Sequence, residues 1–244
     1  MRFLSVLTFE FHEFYDSQIP PYAILSHRWE EEEVTYQDMM AGARWKKGFE
    51  KIRECCLQAH VDGFDYVWID TCCIDKSSSA ELSEAINSMY KWYQRSAVCY
   101  AYLSDVRPDG SDRQNWIRQA SSIEAFLNSK WWTRGWTLQE LIAPSIVKFF
   151  GQGVIDWIEI GSKASLVASI SSKTGIDEET LHGQDVRKAS IARRMSWTST
   201  RQTTRSEDMA YCLLGIFGVN MPLLYGEGNR AFLRLQVQSV CHFW

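Results

Sequence analysis

The chain has 244 residues, 45% of them hydrophobic and 14% aromatic, with 11 tryptophans; this is enough apolar matter for a sizeable core and excludes a disordered or fibrous chain. The net charge of −4, without a lysine/arginine tract, gives no support to nucleic-acid binding. Seven cysteines without a C-x-x-C spacing, no signal peptide and no bilayer-length apolar run point to a reduced, cytoplasmic protein with buried thiols and no metal or prosthetic group.

After Pro20-Pro21, "YAILS" (22–26) reads as an apolar strand ending in "HRWEEEE", where Glu30 to Glu33 mark solvent exposure. From Lys47 to Val61, Phe49, Ile52, Cys56 and Ala59 fall on one helical face. "DYVWID" (65–70) is a second strand, and the helix after it opens on the S-x-x-E box of Ser78 and Glu81. "AVCYAYLSD" (97–105) is a third strand, followed by the polar loop 107–115. Helices are expected over Ser122–Asn128 and from Trp136, with "SIVKFFG" (145–151) as a fourth strand. Strands alternating with helices at this pitch, each strand a near-continuous apolar run, predict a parallel sheet covered on both faces. Beyond Gly151 the pattern turns helical over 162–175 (closed by Gly175), 188–197 and 206–218, with a last helix after "LLYGEGN". The expected fold is therefore α/β, with a core over residues 1–150 and a mainly helical extension over 151–244.

Parallel sheets gather ligands at the carboxyl ends of their strands. Three polar clusters fall there: Ser26-His27-Arg28-Trp29, Asp70 to Lys76, and Ser104-Asp105. Hydroxyls, a guanidinium, carboxylates and an indole suit a nucleotide or sugar. Strand ends also need polar caps, and on residues alone that plainer reading is the stronger. His27 has no evident nucleophilic partner, and "GQG" and "YGEGN" match neither common phosphate-loop pattern. In "SKWWTRGWTLQELIAP" (129–144) a helix puts Trp136, Gln139, Glu140 and Ala143 on one face. Glu140 is then either a solvated helix carboxylate or one at a tryptophan-walled cleft, steadying positive charge on a sugar. Periodicity leaves both open.

Four motifs in order, "YAILSHRWEEEEVTYQDM", "FDYVWIDTCCIDKSSSAELSEAINSMYKWYQRSAVCYAYLSD", "WWTRGWTLQELIAP" and "RSEDMAYCLLGIFGVNMPLLYGEGNRAFLRLQ", resemble the fungal heterokaryon-incompatibility (HET) domain, of the type at the N-terminus of fungal NOD-like receptors. The resemblance implies a cell-death role in self/non-self recognition, a following STAND/NACHT module or an upstream receptor, and a flavodoxin-like sheet distantly similar to TIR domains. "YAILSHRWEEE" is similar to the TIR motif F-L-S-F-R-G-x-D, and "SKWWTRGWTLQEL" to S-x-W-C-L-x-E-L, with four extra residues and Thr137 in place of the cysteine. By that likeness Glu140 is the catalytic carboxylate of NAD⁺ cleavage. Ser26, His27, Arg28, Trp29 and Asp70 are then candidates to hold the dinucleotide, Trp132 and Trp136 candidates to wall the site, and self-association accompanies activation. The rival expectations are a non-catalytic adaptor of the same fold and, more weakly, a different nucleotide substrate.

Overall fold

The computed structural model describes residues 1–107, 120–153 and 156–241. In chain order the strands are β1 (Arg2–Ser5), β2 (Phe11–Glu13), β3 (Ala23–His27), β4 (Tyr66–Trp68), β5 (Val98–Leu103), β6 (Val147–Gln152) and β7 (Trp157–Ser162). The helices of the first half are α1 (Tyr36–Met40), α2 (Gly48–Val61), α3 (Asp70–Cys73), α4 (Ser79–Arg95), α5 (Ala120–Leu127) and α6 (Thr137–Ile142). Those of the second are α7 (Val167–Thr174), α8 (Glu178–Leu181), α9 (Ile191–Ser196), α10 (Asp208–Tyr211), α11 (Leu214–Phe217) and α12 (Arg230–Cys241).

Among the described residues the strands form one sheet in the order β2-β1-β4-β3-β5-β6-β7. β3 pairs in parallel with β4 and β5, and β5 with β6, while β1, β2 and β7 pair antiparallel, β2 and β7 forming the two edges. In sequence order the parallel strands stand second, first, third, fourth. That is the flavodoxin-like arrangement, whose direction of winding reverses between β3 and β5 and opens a crevice at their carboxyl ends. β3 is buried at all five positions because helices cover both of its faces, which explains the uninterrupted apolar run.

Side chains alternate across β5. Tyr100 and Tyr102 face α2: the Tyr100 hydroxyl donates to Asp62 at 2.7 Å, and Tyr102 stacks on Trp157 at 4.7 Å. Cys99 faces the other way, its Sγ 3.8 Å from the backbone carbonyl of Glu140 on α6. The sheet therefore separates an α2 side from an α4/α6 side.

The four parallel strands and most helices fall where the sequence predicts them. α4 is capped by Ser78, whose hydroxyl accepts from the Glu81 amide at 3.3 Å. The Glu81 carboxylate does not return that bond. It accepts from the Asp75 amide at 2.7 Å and from Arg2 at 2.8 Å, so half of the expected box is spent tying β1 to the loop. α7 ends on Gly175 in the left-handed region (φ 69°). Three strands were not foreseen: β1, β2 and β7. β1 and β2 are only four and three residues long and β7 is an antiparallel edge, and β6 and β7 carry the sheet past residue 150 into the otherwise helical second half. Glu33 also departs from the exposed reading of Glu30–Glu33, for its side chain is only 8% exposed and is ion-paired with buried Lys51. Of the loop 107–115, all but Arg107 lies outside the described residues.

Cys55, Cys56, Cys72, Cys73, Cys99 and Cys212 are all buried free thiols. No helix among the described residues is long and apolar enough to cross a membrane. The second half locks onto the first where α11 meets α4. A Cβ built on Gly215 would stand 1.9 Å from Tyr90 Cβ, a contact that no side-chain rotation relieves. Gly215→Ala is therefore expected to cost at least about 2–3 kcal/mol by overpacking, measured by denaturant unfolding. A loss below about 0.5 kcal/mol would show that the two helices separate freely.

Candidate functional site

Ser26 is the penultimate residue of β3, fully buried, and its hydroxyl donates to Glu140 Oε2 on the α6 face of the sheet. The same hydroxyl accepts from the Trp131 indole N–H at 2.9 Å. The result is a directed chain, indole to hydroxyl to carboxyl, in which each bond polarises the next. Local structure aims each member. The 3₁₀ turn Lys130–Thr133 is capped by Ser129, and Asp105 after β5 accepts from the Ser129 hydroxyl at 2.6 Å and from the Lys130 amide at 2.8 Å. This fixes Trp131 over the end of β3. One turn later α6 delivers Glu140.

All six residues of α6 are buried, Glu140 being 7% exposed, so the helix has no wet side and the solvated-carboxylate reading fails. The N-terminal end of α6 is held by Arg201 and its C-terminal end by Lys163, whose ammonium donates to the carbonyls of Leu141 at 3.2 Å and Pro144 at 2.5 Å. Burial pushes the Lys163 amine down to about 8. Burial also dominates at Glu140, lifting its carboxyl to about 8; Ser26 opposes that rise, Asp70 adds to it, and Arg201 and Arg134 oppose it.

A second cluster crowns β3 and β4. His27 Nε2 lies 3.0 Å from Asp70 Oδ1, the Trp29 indole donates to Asp70 Oδ2 at 2.8 Å, and the Lys76 ammonium sits 3.3 Å from the centre of the Trp29 ring. Burial alone would raise Asp70, but Lys76, His27 and Trp29 outweigh it and hold the carboxyl well below its ordinary value. Asp70 is thus an anion and Glu140 largely a neutral acid at the same pH, which is the divergence of paired carboxyls found at reactive sites.

The structure brings Ser26 and Glu140 into contact, and His27, Trp29 and Asp70 into a neighbouring group. It separates the other expected residues. Arg28 lines a cavity of about 870 Å³ on the α2 side, with Trp29, Lys51, Tyr102 and Trp157; Glu140 does not line it, because α6 lies on the opposite face of the sheet. Trp132 packs edge-on against Phe126 and Trp131, with its N–H given to the Phe126 carbonyl at 2.7 Å, so it serves the core. Trp136 is hydrogen-bonded to Asp208 in the second half. The indole that reaches the site is Trp131, which sequence reasoning passed over in favour of its neighbour. Arg201 and Lys163 were missed entirely. Among the described residues no group of three His, Cys, Asp or Glu side chains is arranged to hold a metal ion.

The heterokaryon incompatibility protein family model matches residues 22–114, spanning β3 to the end of β5 and including Ser26 and Asp70. The vegetative incompatibility protein HET-E-1 of Podospora anserina is 52% identical over 219 residues, covering 88% of this chain and 16% of its own length. The chain belongs to the HET family. It spans about a sixth of that relative. No solved structure matches the chain significantly. The family match ends before Trp131 and Glu140, so the HET domain described here draws its buried acid from chain beyond the matched span.

The buried acid sets a pH dependence. Folded Glu140 keeps its proton up to about pH 8, whereas the unfolded side chain loses it near its ordinary 4.5. Between those values the folded state binds more protons, so stability falls as pH rises and levels off above about 8. The melting temperature of Glu140→Gln should lack that decline, which differential scanning calorimetry from pH 5 to 9 measures. Parallel curves for the two proteins would mean that Glu140 ionises as an exposed carboxylate does.

Proposed function

We propose that this HET domain is a cell-death effector of fungal vegetative incompatibility and that it acts by hydrolysing NAD⁺, with Glu140 as the reactive carboxylate. The single observation supporting the chemistry is a carboxyl buried at the switch point of a flavodoxin-like sheet and held by Ser26, a place where open α/β sheets collect ligands. In the reaction the bond between ribose C1′ and the nicotinamide nitrogen breaks, its electron pair leaving with nicotinamide. Water adds to the oxocarbenium-like C1′ and gives up a proton. Ionised Glu140 steadies that cation and draws the proton from water, as carboxylates do in glycoside hydrolysis. Because burial raises the Glu140 carboxyl to about 8, turnover rises with pH towards that value.

We further propose that the domain works inside a larger protein, which the 16% span of the relative supports, and that it acts in the cytoplasm, switched on by self-association and coupled to a STAND-type module or receptor. The likeness to TIR domains belongs to the same proposal. A second reading, a non-catalytic adaptor, is favoured by one observation: Glu140 is 7% exposed and does not line the 870 Å³ cavity, so substrate reaches it only after a wall moves.

NAD⁺ consumption by purified domain, with wild type against Glu140→Gln, tests the proposal. The expected loss is at least about 100-fold, the typical worth of a positioned acid–base group. Equal turnover, or equal toxicity of the two forms on expression in fungal cells, would sink catalysis and leave the adaptor.

A further inference from the structure

Arg201 is 5% exposed and comes from the loop after α9, in the half of the chain that the likeness to TIR domains does not reach. One terminal nitrogen donates to the Arg134 carbonyl and to the Thr137 hydroxyl, both at 2.8 Å. The Thr137 hydroxyl in turn donates to the Trp131 carbonyl at 2.7 Å. The two loops are laced by backbone bonds as well, Gly135 N–H to Gln202 O at 2.9 Å and Gln202 N–H to Thr133 O at 2.6 Å. Arg201 therefore grips the turn that carries Trp131 at one end and launches α6 at the other, closing a ring through Trp131, Ser26 and Glu140.

Its second terminal nitrogen is buried without a hydrogen-bond partner, and no carboxylate among the described residues lies within ion-pair distance of the guanidinium. A guanidinium does not shed its charge, so an uncompensated one in the interior costs stability unless its field is used. The groups whose charge it feels are the Cys212 thiol and Glu140. Glu140 itself faces Ser26 from β3, Asp70 from β4's end, Arg134 and Arg201, and its charge is felt by Tyr93 of α4, Cys99 of β5 and Cys212 after α10. Among these, Asp70 repels the Glu140 anion while Arg134 and Arg201 attract it, and of those two only Arg201 is buried.

We infer that Arg201 is a positioning residue for Glu140: it holds the Trp131–Ser26–Glu140 chain in register and supplies the counter-charge for Glu140 once it ionises. The inference rests on the reading of Glu140 as the reactive carboxylate, and it makes the C-terminal half part of the site rather than an appendage.

The test follows Glu140 itself, through the side-chain carboxyl ¹³C resonance that disappears in Glu140→Gln, titrated in wild type, Arg201→Met and Arg201→Gln. Removing the nearby opposite charge should raise the titration midpoint by about one pH unit. Arg201→Gln keeps a hydrogen-bond donor towards Thr137 without the charge, so it decides the matter if Arg201→Met does not fold. A merely structural arginine would, when replaced, lower the melting temperature equally with and without the Glu140→Gln change and leave the midpoint where it was, and that result overturns the inference. If wild type fails to consume NAD⁺ but the midpoint moves, the hydrolase reading falls and the counter-charge stands. If NAD⁺ is consumed and the midpoint stays, the reverse holds.

Discussion

A carboxyl kept dry is the constraint around which this domain is arranged. Burying an ionisable acid costs free energy unless a partner meets it, and here the partner is a single serine hydroxyl that also receives an indole N–H. Everything that fixes those three groups is therefore under constraint. β3 must end at Ser26, the turn Lys130–Thr133 must be capped from Asp105, and six-residue α6 must start where it does. A helix that short has little stability of its own. It stands because buried cations from the second half grip both of its ends.

The neighbouring Asp70 group shows how environment divides the work of two like side chains. Asp70 is surrounded by an indole donor, an imidazole and an ammonium, and stays charged. Glu140 is buried with one hydroxyl as its side-chain hydrogen-bond partner, feels charges only at longer range, and keeps its proton. Both stand at the carboxyl edge of the sheet, one above β4 and one beneath β3, so the edge presents an anion and an acid side by side.

What could be read in the sequence was whatever a local pattern determines. The strands at 22–26, 97–105 and 145–151 are apolar runs that only a doubly covered sheet produces, and Ser78 announces its helix by one hydroxyl. Short antiparallel edges such as Phe11–Glu13 carry too few residues for an alternation to show, and "WIEIGS" (157–162) receives no strand from the sequence, only its last residue falling in the helix expected over 162–175. At the site, Ser26 and Glu140 were legible and their contact was not. Trp131 and Trp132 are adjacent and chemically identical, and only the direction of a 3₁₀ turn decides which indole meets Ser26. Arg201 lies 64 positions from the threonine it binds, and no period or spacing links them. Glu33 misled for the opposite reason: three exposed neighbours disguise a side chain that pairs with Lys51.

The sulfur in the core has a consequence of its own. Cys55 and Cys56 of α2 and Cys99 of β5, on the α6 side of the sheet, are fully enclosed, and burial pushes their thiols far up. Folded, they are mute towards oxidants and alkylating reagents, because the nucleophile is the thiolate. Cys99 touches the backbone of Glu140, so its modification requires the wall beside the acid to part. The rate at which an electrophile captures that one sulfur is thus a clock for how often the closed site breathes.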